Sequence, residues 1–495
     1  MTAKNYLLIL LIFLYFVSRL LFLTSVPVFN DESTYLRVAA HQIKEPDHSP
    51  YSLKVGKEPL LPYLFGAAGE FSGNYLIGGR IISIIFGFFT FLGITLFTKE
   101  LFGKKAGLFS GFLYILAPFT IFFDRLALLD SGVSTISAWS LFLTYLLFKE
   151  KKWIFSALLG FVLGIGIWIK ATSMFFVFLP LMAYPFYYFF DKSKKEEKNY
   201  VFLMLLLPLG ITSIFYLLLR SHPFYSDYSQ IIGQYTYRIS EVFSFPIVSW
   251  IQNSISISEW LFFYLTPIVL ILSLLFIYQY RNEIHKYYLI ILWFVLPLVY
   301  EILAGKMLTS RHVLLLTIPL IALSGAYLSK ISNKVILYLI LGIFSVISLF
   351  YIFILYLNPQ KLPDFYIHKA KSDMMQYFYG FSSGYGVSES IEYLKNLSKD
   401  RNIIVIVRND FGNPEDAVIG HLYYNTNTQV IPLPSVDQDG FKENIETILT
   451  NAGETPVYFV SRGNYFAGAD KYFKEEKIFK KPNDEEFVGV YKLGI

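Results

Sequence analysis

Cysteine is absent from the 495 residues, so the chain has no disulfide framework and its redox compartment stays open. Charge is nearly as scarce. Charged residues make up 16% of the chain, against roughly 25% in an ordinary soluble protein, which argues against a surface wetted on all sides. No nucleic-acid motif, internal repeat or low-complexity tract is present. From residue 378 onward there is neither a Gly-rich nucleotide loop nor a cluster with metal-ligand spacing. What fills the chain instead is apolar. Hydrophobic residues reach 55% and aromatics 19%, with 49 Phe and 38 Tyr, a composition suited to lipid-facing helices and interfacial belts.

A helix needs about 20 mostly apolar residues to cross the hydrocarbon. Runs that meet or approach this lie at 6–26, 80–98, 107–122, 130–148, 153–169, 172–190, 200–219, 260–280, 287–304, 312–329 and 334–357. They predict a polytopic helical membrane protein of about eleven spans, one or two of which, among the short runs near 107 and 153, are expected to be tilted or half-spanning. The first run is too long for a signal-peptide core and lacks a small-residue cleavage site, so it is expected to remain as a span. Alternate short loops are basic: Lys99, Lys104 and Lys105; Lys149, Lys151 and Lys152; Lys192, Lys194, Lys195 and Lys198; Arg281 and Lys286; Lys330 and Lys334. Basic loops stay in the cytoplasm. That puts the N-terminus inside the plasma membrane, and outside it two long loops, 27–79 and 220–259, and the C-terminus. Residues 1–357 then form the membrane domain and 358–377 a linker. Residues 378–495, with strand-like 402–407 and 457–460 and an amphipathic helix at 388–398, form a small extracytoplasmic α/β domain.

Charge inside this apolar chain collects on the outer face. Asp31 and Glu32 follow the first span directly, and adjacent carboxylates suit general-base work, one taking a proton while the other orients it or binds a divalent cation. The competing reading is a helix cap, with Asn30 or Asp31 capping a helix that starts near Ser33. Lys57 and Glu58 sit in the turn-rich segment 56–63, where a fixed cation can hold phosphate or simply touch lipid headgroups. Arg80 shares that ambiguity. Asp124, Arg125 and Asp130 bracket an apolar turn at membrane depth, where ionisable groups are either paired or functional. Lys170, Lys306, Arg311 and His312 add charge at outer helix ends. His222 and Arg238 in the second long loop, together with His312, are candidates for an acceptor or metal contact.

At these residues the sequence resembles the dolichyl-phosphate-mannose–protein mannosyltransferases and their relatives, the bacterial aminoarabinose transferases of lipid A, both of the GT-C fold. The resemblance covers about residues 1–357. It rests on Asp31-Glu32, on Lys57-Glu58-Pro59-Leu60 where relatives carry Lys-Pro-Pro-Leu, on Arg125 with Asp130, and on Lys306…Arg311-His312 followed by an apolar run to Pro319. Glu58 departs from that pattern, as does Gly56, which stands where the aminoarabinose transferases have an acidic residue. The resemblance implies an inverting glycosyltransferase that moves a sugar from a polyprenyl-phosphate carrier to a protein, lipid or glycan hydroxyl. Asp31 would be the base, and Lys57 the holder of the donor phosphate, with Arg125, Arg311, Lys170 and Lys306 as further cations. Asp124, Asp130, Glu58 and Arg80 would pair with and orient them. The competing function is a transporter or flippase of lipid-linked glycans, in which the same cations bind phosphate without chemistry. Transporter sites usually lie at the midplane on broken helices, whereas here span centres are nearly free of charge, Arg19 being the main exception.

Overall fold

The computed structural model describes residues 3–46, 50–365, 371–409, 412–433, 438–463 and 472–494. Part of the expected linker, 366–370, therefore lies outside the described residues. The chain opens with α1 (Ala3–Leu20), followed by α2 (Asn30–Lys44), α3 (Tyr51–Lys54) and α4 (Leu60–Ser72), which fill the first long loop. Next come α5 (Tyr75–Phe102), α6 (Lys104–Leu116), α7 (Pro118–Asp124), α8 (Asp130–Glu150), α9 (Trp153–Ile169), α10 (Met174–Phe190) and α11 (Lys195–Arg220). The second long loop holds α12 (Tyr225–Ile232), α13 (Ile239–Val242) and the start of α14 (Ile247–Leu265). The membrane part closes with α15 (Pro267–Gln279), α16 (Tyr288–Ala304), a 3-10 segment Ser310–Leu316, α17 (Thr317–Lys330) and α18 (Lys334–Leu357).

Among the described residues seven helices are long and apolar enough to cross a membrane singly. Two bent pairs and two shorter apolar helices account for the remaining runs. The runs 107–122 and 260–280 read as single spans in the sequence, but each is broken, by 62° between α6 and α7 and by 108° between α14 and α15. Both breaks fall on the residue before a proline. Ala117 and Thr266 take extended ψ values of 124° and 145°, because the following proline ring disfavours helical geometry there and supplies no N–H to continue the ladder.

Beyond the membrane helices come α19 (Lys371–Met374), α20 (Val387–Leu397), α21 (Glu415–Leu422) and α22 (Gln438–Ala452), with five strands: β1 (Ile403–Arg408), β2 (Thr428–Leu433), β3 (Val457–Arg462), β4 (Phe473–Lys480) and β5 (Phe487–Leu493). They form one sheet in the order β2-β1-β3-β5-β4. β1 pairs in parallel with β2 (Val405 opposite Val430) and with β3 (Ile404 opposite Val457), while β5 runs antiparallel to both β3 and β4. The parallel centre explains why Ile403–Val407 is an unbroken apolar run, buried on both faces.

This sheet region does not stand apart from the helices. A single apolar core runs from Phe65, Phe91 and Leu126 through Phe29 and Leu36 to Val387, Val405, Val418 and Val460. α2 is the joint. It packs on α4 and α5 on one side and on α21 on the other. α5 and α8 both begin beside α2 and run to the basic loops at Lys104 and Lys151. The 28 residues of α5 at 1.5 Å each separate the two ends by about 40 Å.

Candidate active site

α2 starts one residue earlier than a cap at Asn30 or Asp31 would allow. Its first helical residue is Asn30, and the flanking position is Phe29. The exposed N-terminal amide there is met by Glu32, whose Oε2 accepts from Phe29 N–H at 2.9 Å. Glu32 does much more. Its two oxygens also accept from Arg80 Nε and Nη2, each at 2.8 Å, and from Ala127 N–H at 2.7 Å. Arg80 in turn donates to the carbonyls of Leu23, Val26 and Pro27. Both side chains are wholly buried. Glu32, a candidate catalytic partner by sequence, is therefore a strut binding α2, α5 and the loop before α8, and Arg80 is its counter-charge.

Asp31 points the other way. Its side chain is 26% exposed, and its Oδ2 meets Arg311 Nη2 at 2.5 Å. Asn30 Nδ2 donates to Oδ1 at 3.3 Å. Burial pushes the Asp31 carboxyl up, but the charges of Arg311 and Lys57 and the Asn30 hydrogen bond outweigh it and hold it below the usual carboxylate range. Arg311 also faces Asp130, at 3.8 Å, and lies over the ring of Phe29. Asp130 Oδ1 accepts from Lys170 Nζ at 2.7 Å. Around these charges a small cavity is lined by Asp130, Ser134, Lys170, Glu301, Arg311 and His312. Asp130 Oδ2, Ser134 Oγ and Arg311 Nη1 are buried and unpartnered among the described residues.

Lys57 is brought to Asp31 by a pinned loop. Gly56 has φ +69°, and a Cβ there would lie 2.5 Å from Ile231 of α12, so glycine is required by both conformation and contact. Glu58 accepts from Tyr228 Oη at 2.7 Å and from the Ala171 amide, next to Lys170. Burial pushes the Glu58 carboxyl up against those hydrogen bonds. Between these two anchors Lys57 lies near the rings of Tyr35 and Tyr235, 5.4 and 5.8 Å from their centroids. Among the described residues no carboxylate is within ion-pair distance of its ammonium. The two departures from the family pattern, Gly56 and Glu58, thus both serve to fix this loop.

Other candidates lie elsewhere. Asp124 pairs with neither Arg125 nor Arg80. It is buried with Arg19 at 3.4 Å and accepts from Tyr15 and Tyr114, which also explains the one charge inside the first span. Arg125 donates to the carbonyls of Leu21 and Phe22 after α1 and stacks on Tyr356. Its donors close that turn, and it does not join the Asp31 cluster. Lys306 pairs with Glu241 at 2.9 Å, and the Arg238 amide donates to the same carboxylate. His222 accepts from the Phe224 amide through Nδ1. Among the described residues no three His, Asp or Glu side chains converge as a metal site. Asp31 and Asp130 are already answered by Arg311 and Lys170, so the residues present do not fit a resident divalent cation.

Sequence reasoning missed Glu301, which is buried in the last turn of the apolar α16, and it missed the partners from the sheet region. Asp416 accepts from Arg37 Nη1 at 2.7 Å and from Thr34 Oγ1 at 2.6 Å. Asn413 accepts from Ser33 Oγ at 2.6 Å and donates to Val28 O. Glu301 was visible as a carboxylate in a span; the others carry no local signal.

Residues 54–217 match the family model described as dolichyl-phosphate-mannose-protein mannosyltransferase. That stretch includes Lys57, Asp130 and Lys170 but neither Asp31 nor Arg311. No curated protein sequence matches the chain. Solved structures do. ArnT from Cupriavidus metallidurans in the apo state has a TM-score of 0.63 at 12% identity, over 99% of this chain and 98% of that one. The same protein bound to undecaprenyl phosphate gives 0.60 at 10% identity, over 99% and 98%. The archaeal oligosaccharyltransferase AglB from Archaeoglobus fulgidus, in complex with an inhibitory peptide and a dolichol-phosphate, gives 0.54 at 13% identity, over 98% of this chain and 74% of that one. This chain is therefore an integral membrane protein with the GT-C glycosyltransferase fold, and its residues 54–217 are similar to the dolichyl-phosphate-mannose-protein mannosyltransferase model.

Proposed function

We propose that the protein is an inverting glycosyltransferase that moves a sugar from a polyprenyl-phosphate donor to a hydroxyl acceptor on the outer face of the membrane. The observation that carries this reading is that a partly exposed carboxylate, Asp31, lies within the electrostatic reach of Lys57, a lysine with no anionic partner among the described residues. An acidic base and a free cation on one face suit a reaction that must accept a proton and release a phosphate. The acceptor oxygen attacks the anomeric carbon as the bond from that carbon to the phosphate oxygen breaks. The electron pair leaves on the polyprenyl phosphate, and the acceptor's proton passes to Asp31. Lys57 meets the phosphate charge, and Arg311 keeps Asp31 ionised and oriented, so most of the catalysis is electrostatic.

The outer-face assignment rests on the basic loops lying at the far ends of α5 and α8. In the same orientation the sheet region, joined to α2, lies outside and the N-terminus inside. The acceptor class stays open to protein, lipid or glycan, and no metal enters the scheme. The alternative of a flippase is separated by one variant. Asp31→Asn in the purified protein should retain polyprenyl-phosphate binding and lose turnover of a labelled polyprenyl-phosphate sugar by roughly 10²-fold or more. Turnover near the parental rate would remove the catalytic reading.

A further inference from the structure

We infer that Asn30 is a positioning residue for Asp31 and that the C-terminal sheet region holds it in place through Gly412 and Asn413. The inference rests on Asp31 being the base. Asn30 Oδ1 accepts from the Asn413 backbone N–H at 2.7 Å. A backbone N–H can only donate, so this contact fixes which end of the amide is the oxygen and turns Nδ2 toward Asp31, where it donates to Oδ1 at 3.3 Å. The rotamer of one residue is thus set by a strand-following loop some 380 positions later.

The loop is itself held tightly. The Gly412 amide donates to Asp416 Oδ2 at 2.8 Å, while Asp416 binds Arg37 and Thr34 of α2. Asn413 spans from Ser33 Oγ to the carbonyls of Val28 and Ser382, and the Asn30 amide donates to Ser382 O. Gly412 lies at φ +101°, and a Cβ on it would come within 2.2 Å of Asn30 Oδ1. Only glycine allows the loop to approach this closely without displacing the Asn30 amide.

The chemical consequence is a neutral donor aimed at the carboxylate oxygen that Arg311 does not take. It steadies the anion and helps keep it ionised. The other charged and titratable groups facing Asp31 are Arg311 and His312 from the 3-10 segment, Lys57 from the loop before α4, Tyr35 of α2, Asp130 of α8 and Tyr377 after α19. Asn30 is the neutral contact among them that is tied to the sheet region.

The test is the pH profile of turnover, read together with binding of bare polyprenyl phosphate. Asn30→Ala removes the donor, so the acid limb of turnover should move to higher pH while phosphate binding stays parental. Asn30→Asp keeps an acceptor for Asn413 N–H but sets an anion against Asp31, and its limb should move further. Gly412→Ala presses a Cβ on the Asn30 amide from the sheet side and should shift the limb in the same direction by less. Reduced turnover with an unmoved acid limb in the Asn30 variants would mean a merely structural role and would overturn the inference. Should Asn30→Ala fail to fold, the near-isosteric Asn30→Asp decides alone. If instead Asp31→Asn keeps parental turnover, the function reading fails first. Loss in Asp31→Asn with unmoved limbs in the Asn30 variants defeats only this inference.

Discussion

Asp31 and Glu32 are neighbours in sequence and opposites in structure. Glu32 has no exposed surface and receives four hydrogen bonds, two from Arg80 and two from backbone amides. Asp31 is a quarter exposed and has two direct polar contacts, Arg311 and Asn30. A carboxylate with every lone pair engaged cannot take up a proton without breaking a bond that holds the fold. A partly exposed one with a free lone pair can. The comparison separates charge that builds the protein from charge that is available to a substrate, and composition alone does not make that distinction.

The largest effect should come from breaking the closed cluster. Arg80→Ala leaves Glu32 buried without its counter-charge, a change that typically costs about 3–5 kcal/mol. The expected outcome is loss of folded protein after detergent extraction, measured by size-exclusion profile and thermal unfolding. A well-folded, stable Arg80→Ala variant would show that the buried pair is dispensable. Breaking the open cluster should spare the fold and strike the rate. Arg311→Gln removes the cation that counts most against burial at Asp31, so its carboxyl rises. Because turnover needs the ionised form, activity is lost as pH falls through that value. The parent should hold its rate down to below the ordinary carboxylate range, and the variant should lose it at higher pH, in a rate–pH series.

A smaller effect is expected at Lys57. Lys57→Ala should weaken polyprenyl-phosphate binding by about tenfold, the loss of one charge-assisted contact worth roughly 1.5–3 kcal/mol at most, read by a direct binding titration. Unchanged affinity would move the phosphate site to Lys170 and Arg311. The smallest effect should be at Lys306, whose ammonium is paired with Glu241 away from the cavity. Exposed pairs contribute about 0–1 kcal/mol, so Lys306→Ala should leave both binding and turnover near parental values.

Much of this was legible in the sequence because membrane proteins advertise their spans by hydropathy. The order of the apolar runs and the sheet strands at 402–407 and 457–460 follow from local pattern, whereas Asp31, Lys57, Asp130, Lys170 and Arg311 stand out by charge at outer helix ends and by family resemblance. Pairing did not follow. Asp124 reaches Arg19 rather than Arg125, since α1 and α7 are brought together by packing that no short window encodes. Arg125 is spent on carbonyls at the end of α1 because a chain leaving a helix in an apolar setting must have its carbonyls met. The run near 107 shows itself only as short, and the bend in 260–280 gives no such sign, because hydropathy is blind to the X-Pro step that breaks each run. Asn413 and Asp416 carry no motif at all. Their role exists only once α2 and α21 touch.

That last contact has a meaning for how the protein is made. α2 is synthesised among the first fifty residues, but the groups that grip it, Asn413 and Asp416, leave the ribosome about 380 residues later. A truncated or stalled product could insert its spans and still lack the hand that sets Asn30. Such a fragment would reach the membrane with the Asn30 amide unset and Asp31 without its neutral donor. Completion of the polypeptide and the setting of Asn30 would then be one event.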